Sequence, residues 1–409
     1  MNPFKPISIS LIPNYSLGDV VLALRLLLQP WRYLDAEWKK QLHDNLRSYL
    51  DRRYVFLFES GRAAEYFLLR ALGVGPGDEV IIQAFTCLAV PAAIIWTGAK
   101  PIFVDIDRTL NLNAAELEEA ITSRTKAVIV QHTLGYPADL EKIGKICGQR
   151  GLVLIEDCAH GLGNVYKRKK LGNQTLASFF SFGRDKVVSS IWGGAVSTDN
   201  EDMAKRLEEL SLILPEHKHW WVAKQLLYPA LIYLILNLYT FLYLGKILHS
   251  MLHQLGVLSR VLTSEEKSIK KPTVFYREMP GALAILAAKQ LQKLPEFIRR
   301  RRCLAKFYSE SLGEDYFPEH SYLRYSTLVA DPEKLRLFTA SSNVFLGDWY
   351  DSVVAPKGVD LEKVGYQPGY CPVAERMCRQ IVNLPTNPNL SLAEAGEVVT
   401  MMKLWKSKK

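Results

Sequence analysis

The chain has 409 residues, 48% hydrophobic and 23% charged, with a formal net charge of +9. That composition excludes a disordered or fibrous chain and allows two or three packed units. The positive balance comes without zinc-finger spacing or a Gly-rich RNA-binding signature, so an anionic membrane surface or phosphorylated substrates explain it better than nucleic acid.

Residues 1–53 read as an N-terminal arm with helices, which Trp31, Trp38 and the leucines at 26–28 would pack onto the main body or a partner subunit. Over 54–211, short apolar runs at 55–58, 79–82, 102–104, 127–130, 152–155, 177–180 and 195–197 alternate with helical patterns at 62–72, 88–96, 113–121, 140–150 and 202–210. Strands separated by helices predict an α/β fold: a mostly parallel seven-stranded sheet, helices on both faces, and ligands at the carboxyl ends of the strands. Within 212–271, the segment 225–245 carries no charge and is long enough for a bilayer. Trp220, Trp221, Tyr228, Tyr239 and Tyr243 lie near its ends, with Lys224 and Lys246 flanking. A single crossing would put the parts before and after it on opposite sides, which leaves two readings. One is a monotopic helix or re-entrant hairpin touching a membrane through 220–246. The other is a pair of buried helices broken at Pro229 in a dimer interface. From 272 to 409, a helix over 281–308 and then short strands and helices predict a smaller α+β domain.

Two basic runs, 167–170 and 299–302, read as solvated faces, the first in a hairpin or loop. The six cysteines (Cys87, Cys147, Cys158, Cys303, Cys371, Cys378) form no CxxC pair and no metal-ligand cluster with histidine. No metal is expected, and a reduced, cytoplasmic setting is the default. Residues 1–15 lack the basic-then-apolar order of a signal peptide.

The chemistry centres on Lys186, which closes Phe179-Phe180-Ser181-Phe182-Gly183-Arg184-Asp185-Lys186 and precedes Gly193-Gly194. Upstream, the apolar run 152–155 ends in Glu156-Asp157-Cys158-Ala159-His160. A carboxylate ending a buried strand, then a lysine in a Ser/Phe-rich turn, is the pattern that pyridoxal 5'-phosphate requires. The lysine forms a Schiff base with the cofactor aldehyde, and the aspartate keeps the pyridine nitrogen protonated. Apolar neighbours lower the pKa of such a lysine. Ser60-Gly61-Arg62-Ala63 opens a helix, a natural anion site for the cofactor phosphate. Ser181 offers a second phosphate contact, with Arg62 and Arg184 as cationic helpers. His160 follows a strand end and would contact the cofactor ring; His132 follows another.

In order and spacing, these residues resemble the DegT/DnrJ/EryC1/StrS family of sugar aminotransferases. The matching stretches are Ser60 to Ala64, Leu72 to Val80, Gly98 to Asp107, Glu156 to His160, Phe180 to Phe182 with Lys186, and Gly193-Gly194. The resemblance implies a type I pyridoxal phosphate transferase fold and a homodimer with active sites at the interface. It implies amino transfer, usually from glutamate, to a nucleotide-linked keto-sugar. Lys186 and Asp157 become the catalytic pair, and Ser60, Gly61, Arg62, Ala63, Cys87, His160 and Ser181 join them around the cofactor. Three positions depart from the family. Cys87 stands where an aromatic ring usually stacks on the cofactor. Ile191-Trp192 replaces a Gly-Glu pair. Tyr276-Arg277-Glu278 replaces an Asn-aromatic-Arg stretch that reaches the partner's phosphate. The expected function is amination of a nucleotide- or lipid-linked keto-sugar for surface polysaccharide or glycoconjugate synthesis, in the cytoplasm or at the inner membrane face. A different reaction on the same cofactor, or a non-catalytic binding or regulatory relative, are the alternatives.

Overall fold

Apolar runs of four or five residues, too short for helices and rich in Val, Ile and Phe, form the centre of the molecule. The computed structural model describes residues 4–259, 264–271 and 277–407. Its main sheet has seven strands: β1 (Tyr54–Phe58), β2 (Glu79–Gln83), β3 (Lys100–Val104), β4 (Thr125–Gln131), β5 (Val153–Asp157), β6 (Ala177–Ser181) and β7 (Gly194–Thr198), in the order β1-β7-β6-β5-β4-β2-β3. Only β7 runs antiparallel to its neighbours. Adjacent residues of one strand point to opposite faces. Ile82 and Phe179 therefore join one core, and Ile81 and Phe180 the other. Helices Gly61–Ala71, Ala89–Thr97, Ala114–Ala120, Leu140–Arg150 and Glu201–Leu212 alternate with the strands. This is the expected mostly parallel α/β architecture, and the strand carboxyl ends of β1, β5 and β6 meet at one cleft.

The first basic run turns the small hairpin Val165–Tyr166/Lys169–Lys170, as expected. The second departs from a solvated face. In helix Leu294–Leu312, Arg299 is exposed and paired with Glu296, but Arg301 is fully buried. Position 301 lies one turn from Phe297 and Ile298 and one turn before Leu304 and Ala305, so it sits on the buried stripe. Its Nη1 donates to Leu323 O at 2.7 Å, and its Nη2 to Asn14 Oδ1 at 2.6 Å. Asn14 Nδ2 in turn donates to the carbonyls of Lys186 (2.6 Å) and Val187 (2.7 Å).

The N-terminal arm is woven in at several points. Ile7–Ser8 pairs in parallel with Val344–Phe345. Leu42, Leu46 and Leu50 of helix Ala36–Leu50 pack in one core with helix Gly281–Gln292. Leu26 is buried, whereas Leu28 and Trp31 remain exposed rather than packing onto the body. The single helix expected over 281–308 is two helices, Gly281–Gln292 and Leu294–Leu312, parted at Lys293 just before Pro295. Beyond them lie the antiparallel pair Tyr325–Leu328/Ile381–Leu384 and helices Pro332–Ala340, Pro372–Cys378 and Leu392–Ser407. Tyr276 lies outside the described residues. Arg277 Nη1 donates to Glu216 O at 2.6 Å, and Glu278 pairs with Lys39 at 2.5 Å.

The apolar segment forms a helical hairpin. Helix His219–Asn237 runs unbroken through Pro229, so the break expected there is absent. A proline removes one backbone donor, and here the buried ring is packed within the helix instead of ending it. The chain reverses at 238–243, through Leu242 (φ 45°) and Tyr243 (φ 57°), into helix Leu244–Gln254. Gly245 permits the return: a Cβ there would lie 2.3 Å from Ile235 O. Among the described residues, no helix is long and apolar enough to cross a membrane.

The Arg301–Asn14–Lys186 relay generates a test. Asn14→Ala strands two buried carbonyls and a buried guanidinium, and should lower unfolding free energy by about 1–3 kcal/mol or more. Arg299→Ala, in an exposed pair, should leave the denaturation midpoint unchanged. Equal midpoints for wild type and Asn14→Ala would show that the relay does not hold the turn.

Candidate active site

The carboxyl ends of β1, β5 and β6 open into a cavity of about 330 Å³. Ser60, Gly61, Arg62, Cys87, Asp157, His160, Ser181 and Lys186 all line it. Ala63, the remaining expected contact, stands one residue further along the helix, where its amide is capped by Ser60 Oγ at 3.2 Å.

The head of helix Gly61–Ala71 is pressed onto the end of β6. A Cβ on Gly61 would fall 2.7 Å from Ser181 Cβ, so only glycine lets the first helical turn approach so closely. Ser60, Gly61 and the Ser181 hydroxyl thus form one corner with the positive end of the helix. At the opposite corner, Asp157 ends β5, buried, with Oδ1 accepting from Ala159 N at 2.9 Å. Burial pushes its carboxyl up, against the pull of the Ala159 amide, Lys186 and His132. Lys186 follows β6 in a turn closed by its own amide donating to Gly183 O at 3.2 Å. Burial pulls its ammonium down, while Cys87 and Asp157 act the other way. A lysine held more readily neutral is a better nucleophile and proton carrier.

His160 is also buried. Its Nδ1 accepts from Leu134 N at 3.3 Å, which leaves the proton on Nε2, 3.5 Å from the Tyr350 hydroxyl. Burial, with Lys186 and Arg324 nearby, holds it neutral. Its ring stacks on Trp349 at 5.1 Å, and Lys186 Nζ lies 5.0 Å from the centre of the same indole. Cys87 brings no ring, so the aromatic wall here comes from Trp349 and Tyr350.

Three further residues of the expected set have partners within the chain. Arg62 forms a buried ion pair with Glu266. Arg184 lies 4.1 Å over the Tyr228 ring and donates to Ser259 O at 2.5 Å, toward the apolar hairpin. Both guanidiniums line the cavity and are also paired within the protein. His132 lies outside the cavity. Its Nδ1 accepts from Ala138 N at 3.1 Å and its Nε2 faces Glu156 Oε2 at 3.2 Å. Ligand atoms of His132, Glu156 and Cys158 lie within 4.8 Å of one another, but Glu156 is already taken by His132, Gly172 N and Gln174 N. The group pins the loop beside β5.

Glu65 escaped the sequence reading. It stands one turn after Gly61, on the same helix face, buried in the cavity wall, and its Oε1 has no hydrogen-bond partner. Burial, with Asp157 near, pushes its carboxyl well up. The signal was available: a lone acid within the otherwise apolar Ala63–Leu69 stretch. Asp185 Oδ1 and Trp192 Nε1 are likewise buried without partners in the same wall. Buried polar atoms are normally satisfied, so three orphans around one cavity fit a polar ligand. A helix head and Ser181 for a phosphate, Asp157 for a cationic ring nitrogen and Lys186 for an aldehyde fit pyridoxal phosphate.

The family model described as the DegT/DnrJ/EryC1/StrS aminotransferase family matches residues 23–224 and 249–403. The chain is similar to the pleiotropic regulatory protein of Geobacillus stearothermophilus, 26% identical over 391 residues that cover 93% of this chain and 92% of the relative. It is 34% identical over 212 residues to the spore coat polysaccharide biosynthesis protein SpsC of Bacillus subtilis, about half of each chain (52% and 54%). Its fold resembles that of Helicobacter pylori PseC, an aminotransferase involved in pseudoaminic acid biosynthesis, with a TM-score of 0.76, 20% identity and coverage of 98% and 100%.

Glu65 carries a pH-dependent prediction. Its folded-state pKa lies above the unfolded one, so its contribution to stability is present below the ordinary carboxylate range and lost as pH rises through the folded-state value. In ligand-free protein, Glu65→Gln should therefore melt above wild type at about pH 7, and the two should converge toward about pH 4. A gap independent of pH would show that the carboxyl is not the strained group.

Proposed function

The chain belongs to the DegT/DnrJ/EryC1/StrS aminotransferase family, and from that footing we propose that this cavity moves an amino group from glutamate to a nucleotide- or lipid-linked keto-sugar in polysaccharide or glycoconjugate synthesis. The cofactor is pyridoxal phosphate. Bound there, it supplies an aldehyde that holds amines covalently and a ring that withdraws electrons.

The observation that carries the reading is the enclosure of Lys186 and Asp157 in one cavity with an open helix head. Asp157, at the end of β5 and shielded from water, would supply the buried carboxylate that keeps positive charge on the ring nitrogen. The Ser60 hydroxyl, the amides at the helix head and the Ser181 hydroxyl bind the phosphate end. Lys186 Nζ would carry a proton between the donor's α-carbon and the cofactor's reactive carbon, a task suited to a buried amine of lowered basicity. His160, neutral, presents Nε2–H at the rim beside Tyr350. The names of SpsC and PseC support a sugar acceptor.

A regulatory relative without turnover is the second reading, favoured by the name of the Geobacillus protein. The retained Lys186–Asp157 pair weighs against it. A homodimer is part of the first reading, with Arg277 and its neighbours near the partner's site.

Glutamate added to the cofactor-loaded protein should convert the bound cofactor to its amine form, seen as loss of visible absorbance. Lys186→Ala should slow that half-reaction by about 10²-fold or more. Asp157→Asn should weaken cofactor retention by roughly 10²–10³-fold, the effect of breaking a buried ion pair. A wild-type protein that holds the cofactor but never responds to glutamate would favour the regulatory reading.

A further inference from the structure

The family model matches residues 23–224 and 249–403, so most of the apolar hairpin lies between the two matched stretches. Its second helix, Leu244–Gln254, is apolar around half its circumference, and packing uses only part of that arc. Leu248 and Leu252 turn inward, against the cluster that includes Ile232 and Ile235. Leu244, Ile247, Met251 and, just past the helix, Leu255 follow a 3-4-4 spacing that aligns them in one strip. They are 45%, 60%, 47% and 68% exposed, and the tip residues Leu242 (73%) and Tyr243 (64%) extend the strip. A contiguous exposed apolar surface of this kind marks an interaction site.

The charges around the strip are of one sign. Between Glu216 and Glu265 the sequence has no Asp or Glu, but it has Lys218, Lys224, Lys246 and Arg260. Two of these bracket the strip. Lys246 Nζ sits among the tip aromatics, 5.4 Å from the Tyr239 ring and 5.1 Å from the Tyr243 ring. Lys224 Nζ is held at the far end by Gly256 O at 2.6 Å. The opposite face of the helix carries Lys246, His249, Ser250 and His253. We infer that this hairpin docks the protein on an anionic lipid surface, lying in the interface plane with the strip in the acyl boundary and the lysines at the headgroups. Apolar side chains flanked by tyrosines and cations are what such an interface selects. A second copy of the chain fits less well. A two-fold contact through this strip would bring the lysines of both copies together, and the segment has no carboxylate to receive them. The inference stands independently of the substrate, and no spanning helix is needed for it.

The test is flotation of the full-length protein with vesicles of phosphatidylcholine alone or mixed with phosphatidylglycerol, alongside its sedimentation in their absence. The wild type should float with the phosphatidylglycerol vesicles, less so as salt rises, and stay behind with phosphatidylcholine alone. Ile247→Glu/Met251→Glu should lose flotation by roughly tenfold or more, since each removes one buried apolar anchor. Lys224→Glu/Lys246→Glu should weaken it and flatten its salt dependence. All four positions lie outside the cavity, so the glutamate half-reaction in solution should be the same in each variant and reports that they fold. No wild-type flotation, or undiminished flotation of Ile247→Glu/Met251→Glu, overturns the inference. So does a change of oligomeric state in that variant with no change in flotation, which would assign the strip to a second copy.

Discussion

Withdrawing a lysine and an aspartate from water costs several kcal/mol per ion unless each finds compensation. The surroundings of Lys186 and Asp157 are arranged around that constraint. The ends of β5 and β6 hold the two groups in one cavity, where each offsets part of the other's burial. Backbone amides assist Asp157, while the lysine's turn is fastened from behind by Asn14. Around them, Glu65, Asp185 and Trp192 leave buried polar atoms unanswered. A cavity with opposite charges at its corners and spare hydrogen-bonding capacity between them is pre-organised for a ligand that carries both signs.

The scaffold was largely legible because its signals are local. Seven apolar runs gave seven strands, and the residues at their carboxyl ends fell at one edge, as parallel topology requires. Asp157 and Lys186 could be paired from sequence since β5 and β6 are neighbours and each residue follows its strand closely. What stayed hidden depends on distant chain. Trp349 and Tyr350 reach the cavity from a loop more than a hundred residues further on, with no periodicity to announce them. Arg301 looked like one of four solvated arginines, and the groups that receive its guanidinium inside, Leu323 O and Asn14 Oδ1, come from distant chain. Pro229 was expected to break a helix, because the rule concerns hydrogen bonds and cannot see the packing that tolerates the loss.

The apolar hairpin lies directly against the active-site wall. Its first helix meets the cavity wall through Arg184, which stacks on Tyr228 and bonds Ser259, and through Trp192, whose ring lies 6.1 Å from that of Trp221. Ser259 in turn donates to Gln225 Oε1 at 3.0 Å. The hairpin therefore touches the lysine turn on one side and presents its unpacked face on the other. Surface contact and cofactor chemistry share a boundary two side chains thick.

Asn14 and Lys186 stand far apart in sequence, and Arg301 is farther still. Contacts of such long range form only after the intervening chain has been brought together, and they slow folding in proportion to that separation. None of the sheet's seven strands comes from the arm. The first strand of the arm and Asn14 take their partners, Val344–Phe345 and Arg301, from the C-terminal part of the chain. The lysine turn is thus fastened by the first and last parts of the chain acting together. A chain whose C-terminal part is not in place leaves the reactive amine in a turn that Arg301 and Asn14 do not yet fasten, and the completed chain is the form that locks it.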